Sequence, residues 1–68
     1  MTDPLHDATA TDPATGLRAV RALRELADRL ERLQVVRARE LGWSWQEIAE
    51  ALGISRQAAH QKHRSTTR

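Results

Sequence analysis

The sequence predicts an all-α chain: a tri-helical domain with a long, leucine-rich first helix, preceded by a disordered tail. Three observations carry this. Residues 17 to 41 contain no Pro or Gly and repeat apolar residues at spacings of three and four. A Ser-x-x-Glu sequence at Ser44 to Glu47 opens a second amphipathic segment. A Gly-Ile-Ser break at Gly53 to Ser55 separates that segment from a third.

The tail comes first. "MTDPLHDATATDPATG" is rich in Thr, Ala, Asp and Pro, and Leu5 is its one sizeable aliphatic residue after Met1. Such a composition cannot bury enough apolar surface to offset the entropy of ordering, so residues 1 to 16 are expected to be disordered. Asp12 followed by Pro13 has the form of an N-cap and first helical residue, with Thr15 as a rival start. Gly16 weakens any helix running through it, so the helix is expected from Leu17.

Along residues 17 to 41, Ala19, Val20, Leu23, Leu26, Ala27, Leu30, Leu33, Ala38 and Leu41 make one apolar stripe. Glu25 to Arg29 and Asp28 to Arg32 are i,i+4 ion pairs in the favourable orientation. At about 1.5 Å per residue the helix is roughly 37 Å long, more than two short helices can cover. Leu23, Leu26, Leu30 and Leu33 keep the 3-4-3 rhythm of a helix pair, so they are expected to form a homodimer seam. The alternative is that they face one intramolecular core. Val35 and Val36 lie off this stripe. The polar face is mixed in charge, which argues against lipid binding. Gly42 suits a left-handed stop.

The second helix is expected over residues 44–52. Ser44 and Glu47 form a capping box, and Trp43 with Ile48 the accompanying hydrophobic staple. Trp45, Ile48, Ala49 and Leu52 recur at helical spacing, so both tryptophans are read as packing residues rather than base-stacking platforms. The third helix is expected over residues 55–64, capped by Ser55, with residues 65–68 frayed. The turn between them is three residues long. Gly53 can take positive φ, Ile54 plugs the corner, and Ala49 is small where the helices cross. Ala59 supplies the inward contact of the third helix, and Ala58 keeps it slim enough for a major groove about 12 Å wide. This is the spacing of a helix-turn-helix.

"SWQEIAEALGISRQAAHQKHR" resembles the helix-turn-helix of the sigma-factor region 4 and homeodomain-like regulator group. Glu47, Ile48, Ala49, Leu52, Gly53, Ile54 and Ser55 match that group's usual wording. The stretch from Leu30 to His63 is also similar to small actinobacterial helix-turn-helix proteins. Two positions depart from the group: His63 stands where a bulky apolar residue is usual, and Ala59 where Val or Ile is frequent. A lean core and a thinly anchored third helix follow. The resemblance implies that Ser55, Arg56, Gln57, His60 and Gln61 face the bases. Their chemistry agrees, since Arg can grip guanine O6 and N7 and Gln adenine N6 and N7. Lys62, Arg64 and Arg68 suit phosphates, as do the amides near Ser44 and Gln46.

Charge agrees with an anionic partner. Residues 1 to 16 carry three Asp and no base, whereas the remainder holds eleven basic residues against six acidic ones. From Gly53 onward there are Arg56, Lys62, Arg64 and Arg68 and no acid. With no cysteine, disulfides and thiolate metal sites are excluded. His60 and His63 stand i,i+3 but lack further ligands, so no metal and no cofactor is expected. Nucleophile–base pairs and phosphate loops are absent from the sequence, so it does not read as an enzyme. No apolar run approaches the roughly 20 residues of a membrane span, nor is a secretory signal visible, so a cytoplasmic, nucleoid-associated protein is expected. The expectation is therefore a transcriptional regulator that binds double-stranded DNA as a dimer. The alternative is an adaptor that docks on a protein of the transcription machinery through its leucine-rich helix.

Overall fold

The computed structural model describes residues 4–66, and every regular element among them is helical. They are α1 (Pro4–Ala8), α2 (Pro13–Glu40), α3 (Trp45–Leu52) and α4 (Arg56–His63). Contacts divide the chain into two compact units, with the boundary between Leu30 and Glu31. Each is described in turn.

In the first unit the structure departs from the sequence expectation twice. Pro4–Ala8 forms one helical turn where no regular structure is expected. It closes with Thr9 N–H and the Thr9 hydroxyl both donating to the His6 carbonyl, at 3.2 and 2.7 Å. The second departure is that α2 starts at Pro13, four residues before Leu17. Asp12 is its cap: Oδ2 accepts from Thr15 N–H at 3.2 Å and from the Thr15 hydroxyl at 2.7 Å. Proline suits the position after the cap because its missing N–H would have no helical partner there. Gly16 does not interrupt the helix. It is buried, and a Cβ there would meet the carbonyl oxygens of Ala10, Ala8 and Asp7 at 3.7 to 3.9 Å. Ala19 is the buried apolar residue of this unit. Leu26 and Leu30 remain 43% and 51% exposed, and Leu23 is half-buried.

The second unit contains the end of α2 with α3 and α4. Two turns of one design shape it. After α2, Gly42 N–H donates to the Arg39 carbonyl and Trp43 N–H to the Ala38 carbonyl, at 3.0 and 2.9 Å. After α3, Gly53 N–H donates to Glu50 and Ile54 N–H to Ala49, at 3.2 and 3.1 Å. Both are Schellman pairs, and both glycines are left-handed, with φ of 87° and 73°. In each, Gly is followed by an apolar residue and then by the serine that caps the next helix. Gly42-Trp43-Ser44 and Gly53-Ile54-Ser55 are thus the same local solution used twice. Both turns leave the middle residue 40% exposed, so Ile54 is not the sealed plug that the sequence suggests.

Ser44 and Glu47 complete a capping box: Ser44 Oγ accepts from Glu47 N–H at 3.1 Å, and Glu47 Oε1 accepts from Ser44 N–H at 3.0 Å. Ser55 Oγ accepts from Ala58 N–H at 3.1 Å. Ser44 and Ser55 thus stand as caps just outside the helices they start.

The core of this unit is small. It consists of Val35, Ile48, Ala49 and Ala59, together with one polar residue, His63. Val35, off the leucine stripe, is 2% exposed, while Leu33 is 66% exposed. Two residues on a helix differ by about 200° of rotation, so the two face nearly opposite ways. The reading in which all the leucines serve an intramolecular core therefore fails. The face of α2 turned to α3 and α4 is set by Glu31, Val35 and Ala38, one turn apart along the helix.

His63 fills the place of a bulky apolar residue. It is 1% exposed, and its Nε2 lies 2.6 Å from Glu31 Oε2. Helix α4 is thus anchored at its end by a hydrogen bond to α2 as well as by packing, rather than thinly anchored.

Candidate nucleic-acid interface

Helix α4 has one inward side, marked by Ala59 and His63, which are one turn apart and buried. Gln57, Ala58, Gln61 and Arg64 project on the other side and are exposed. Arg56 and His60 lie on the flank beside α3 and are also exposed. Ala58 keeps the outward side low between the longer side chains. Ser55 is exposed, and its oxygen is engaged in the cap, which leaves its hydroxyl hydrogen available to donate.

Arg56, Gln57 and His60 line a cleft of about 470 Å³ together with Trp45. Sequence reasoning treats Trp45 as a packing residue of α3. The structure leaves it half-buried at the first position of that helix, with its ring 5.2 Å from the His60 ring at an interplanar angle of 78°. The Arg39 guanidinium stands 5.1 Å from the same indole. Arg39 also donates to the Trp43 carbonyl at 2.8 Å, which fixes it beside the turn. No sequence spacing brings residues 39, 45 and 60 together. Packing of three helices does.

The expected phosphate contacts divide into four cases. Arg64 is exposed at the end of α4, where its N–H donates to the His60 carbonyl at 2.8 Å. The Lys62 ammonium is 2.9 Å from Glu31 Oε2, so part of its charge is answered within the protein. At the start of α3, the Ser44 amide is committed to Glu47 and the Gln46 side chain to Glu50, at 3.0 and 3.2 Å. The Glu47 carboxylate already occupies the helix N-terminus, so an amide-bound phosphate there would have to displace it. Arg68 lies outside the described residues.

Three carboxyls sit below the usual carboxylate range. Glu31 is lowered chiefly by the Lys62 hydrogen bond, with burial opposing and His63 adding to it. Glu47 is lowered by the Ser44 backbone N–H, and Asp12 by the Thr15 hydroxyl. All three are bonds that hold helix ends. The two histidines of α4 separate, His60 toward Trp45 and His63 toward Glu31. Among the described residues no group of three or more His, Cys, Asp or Glu side chains is placed to hold a metal ion. Nor is any helix among them long and apolar enough to cross a membrane.

A helical pair joined by a glycine turn, with an exposed polar second helix, is the frame of a helix-turn-helix. The family pattern of the homeodomain-like domain matches residues 26–67. The chain belongs to the homeodomain-like domain family. Comparison with characterised proteins and with solved structures finds no match. As a homeodomain-like helix-turn-helix, the domain is of a DNA-binding class rather than an enzymatic one.

Proposed function

We propose that the protein is a transcriptional regulator that reads a preferred DNA sequence in the major groove through α4. The observation that carries this is the exposed set Arg56, Gln57, His60 and Gln61 on a helix whose opposite side is sealed by Ala59 and His63. Arg56 grips guanine and Gln57 adenine from the first turn of α4. Arg64 holds a phosphate, and Lys62 adds a weaker contact because Glu31 shares its charge.

A single such helix spans only a few base pairs, so useful specificity calls for two copies. The protein acts as a homodimer through Leu23, Leu26, Leu30 and Leu33. Their 3-4-3 spacing supports this, as does the exposure of the last three. The dimer works in the cytoplasm, on the nucleoid.

The deciding experiment is selection of bound DNA from a random pool at low salt, followed by sedimentation of the pure protein. Enrichment of one motif supports the reading. Binding without any enriched motif contradicts the sequence preference, and absence of binding contradicts the function.

One observation favours a second reading. A groove of about 300 Å³ is lined by Val35, Ala38, Leu41, Trp43, Ile48 and Leu52, with Leu41 68% exposed. An adaptor that docks on the transcription machinery would use such a groove as well as the leucine seam. Absence of DNA binding with retention of a polymerase-associated partner would select it.

A further inference from the structure

The cleft beside α4 contains an apolar group that hydrogen-bond readout does not use. Three of its four lining residues, Arg56, Gln57 and His60, are polar and are the base-edge readers of the function proposed above. The fourth is Trp45, contributed by a different helix. Its indole is braced from two directions, by the Arg39 guanidinium at 5.1 Å and by the His60 ring at 5.2 Å. The ring is thus contacted by both neighbours while it stays half-buried and lines the cleft.

A DNA major groove presents donors, acceptors and one apolar feature, the C5-methyl group of thymine. We infer that the Trp45 cleft receives a thymine methyl, so that Trp45 is a specificity-determining residue contributed by α3. This rests on the major-groove reading above and adds to it a ligand chemistry that Arg, Gln and His do not recognise. Arg56 and Gln57 address the polar edges of base pairs, and Trp45 with the side of His60 addresses the methyl between them. Arg39 acts as a positioning residue: its guanidinium stands 5.1 Å from the indole, within cation–π range.

Removing one methyl from DNA tests this without altering the protein. Each thymine of the selected site is replaced in turn by deoxyuridine, which differs only by that methyl. Affinity is then measured by fluorescence anisotropy at constant salt. One position per half-site is expected to lose about fourfold, the equivalent of one buried methyl-sized group. The other positions should stay within about twofold. 5-Iodo-deoxyuridine at the sensitive position, which places iodine where the methyl was, is expected to photocrosslink to Trp45 or His60. Trp45→Ala should erase the thymine–uracil difference while Arg56-dependent preference persists. Should that variant fail to fold by circular dichroism, the crosslink on the wild-type chain decides. Every deoxyuridine substitution falling within twofold, or a crosslink to a residue outside the cleft, overturns the inference and leaves DNA binding intact. A gain of affinity on 5-methylation of cytosine, with no loss on thymine replacement, would assign the cleft to modified DNA and overturn the thymine assignment. If no DNA of any sequence binds at low salt, the parent reading fails and this inference fails with it.

Discussion

His63 Nε2 and Glu31 Oε2 stand 2.6 Å apart, joining the last turn of α4 to α2 across the core of the second unit. The imidazole is 1% exposed and is the largest fully buried side chain of the described residues. In a core otherwise made of Val35, Ile48, Ala49 and Ala59, one hydrogen bond is a large share of what holds α4 in place. Glu31→Ala is therefore expected to destabilise the domain by about 1–3 kcal/mol, the cost of depriving a buried polar group of its acceptor. His63→Leu removes the same hydrogen bond but leaves no buried polar group unpaired, because Glu31 keeps Lys62 and is partly exposed, so it should cost less than Glu31→Ala. Urea denaturation of both variants checks the pair. Equal losses in the two would contradict the hydrogen-bond account.

Acid should loosen the same joint. The Glu31 carboxyl is held below its ordinary value, first by Lys62. A carboxyl whose folded pKa is depressed contributes stability that is complete above its unfolded value. That contribution is lost as pH falls through the folded value. Stability is thus expected to decline below pH 4.5, the ordinary value for Glu31 and Glu47, with Asp12 adding in the same direction below 3.8. Thermal melts from pH 7 to pH 3 measure it, and Glu31→Ala should flatten the dependence. An unchanged slope in that variant would place the acid response elsewhere.

Gly16 offers a gain. It lies inside α2, and a Cβ there would make contacts no closer than 3.7 Å, ordinary van der Waals distances. Gly16→Ala should stabilise the first unit by up to about 1 kcal/mol through helix propensity and reduced unfolded-state entropy. Helicity by circular dichroism and the midpoint of thermal unfolding should both rise. A fall in either would mean that the α1 turn needs the glycine.

Arg56 and Arg64 should separate specificity from affinity. Arg56→Ala is expected to relax preference at one base pair, by about 1–3 kcal/mol. Arg64→Ala should weaken all sequences alike and lower the salt slope by about one. Lys62→Ala should behave as Arg64→Ala does but more weakly, because Glu31 lies 2.9 Å from its ammonium. Indistinguishable selection profiles for Arg56→Ala and Arg64→Ala would contradict the assignment.

Leu30→Lys should dissociate the proposed dimer without unfolding the chain, because Leu30 is 51% exposed in a single copy. Sedimentation would report a monomer, while far-ultraviolet circular dichroism would retain its helical signal. Loss of helicity in the variant would show that Leu30 serves the fold of its own chain.

Local chemistry made much of this molecule legible in advance. The Ser44–Glu47 box, the left-handed Gly42 and Gly53 and the Ser55 cap each depend on residues within a few positions of one another. The resemblance implies the outward set on α4, and the structure leaves Gln57 and Gln61 exposed while Ala59 and His63 are buried. The intrinsic propensity of Gly16 points to a helix start at Leu17, whereas its buried position under the α1 turn lets α2 run through it from Pro13.

By itself, then, the sequence determined where α2 stops and where α3 and α4 begin, since caps and turn glycines act over three or four residues. It also determined that α4 would be polar outside and lean inside. Only tertiary packing decided that Val35 rather than Leu33 would be buried in the second unit, because that choice depends on which side of the end of α2 the short helices cover. It likewise decided that His63 would find Glu31, 32 positions away, and that Arg39, Trp45 and His60 would share one corner. These pairings join residues on different helices, and no local periodicity encodes them.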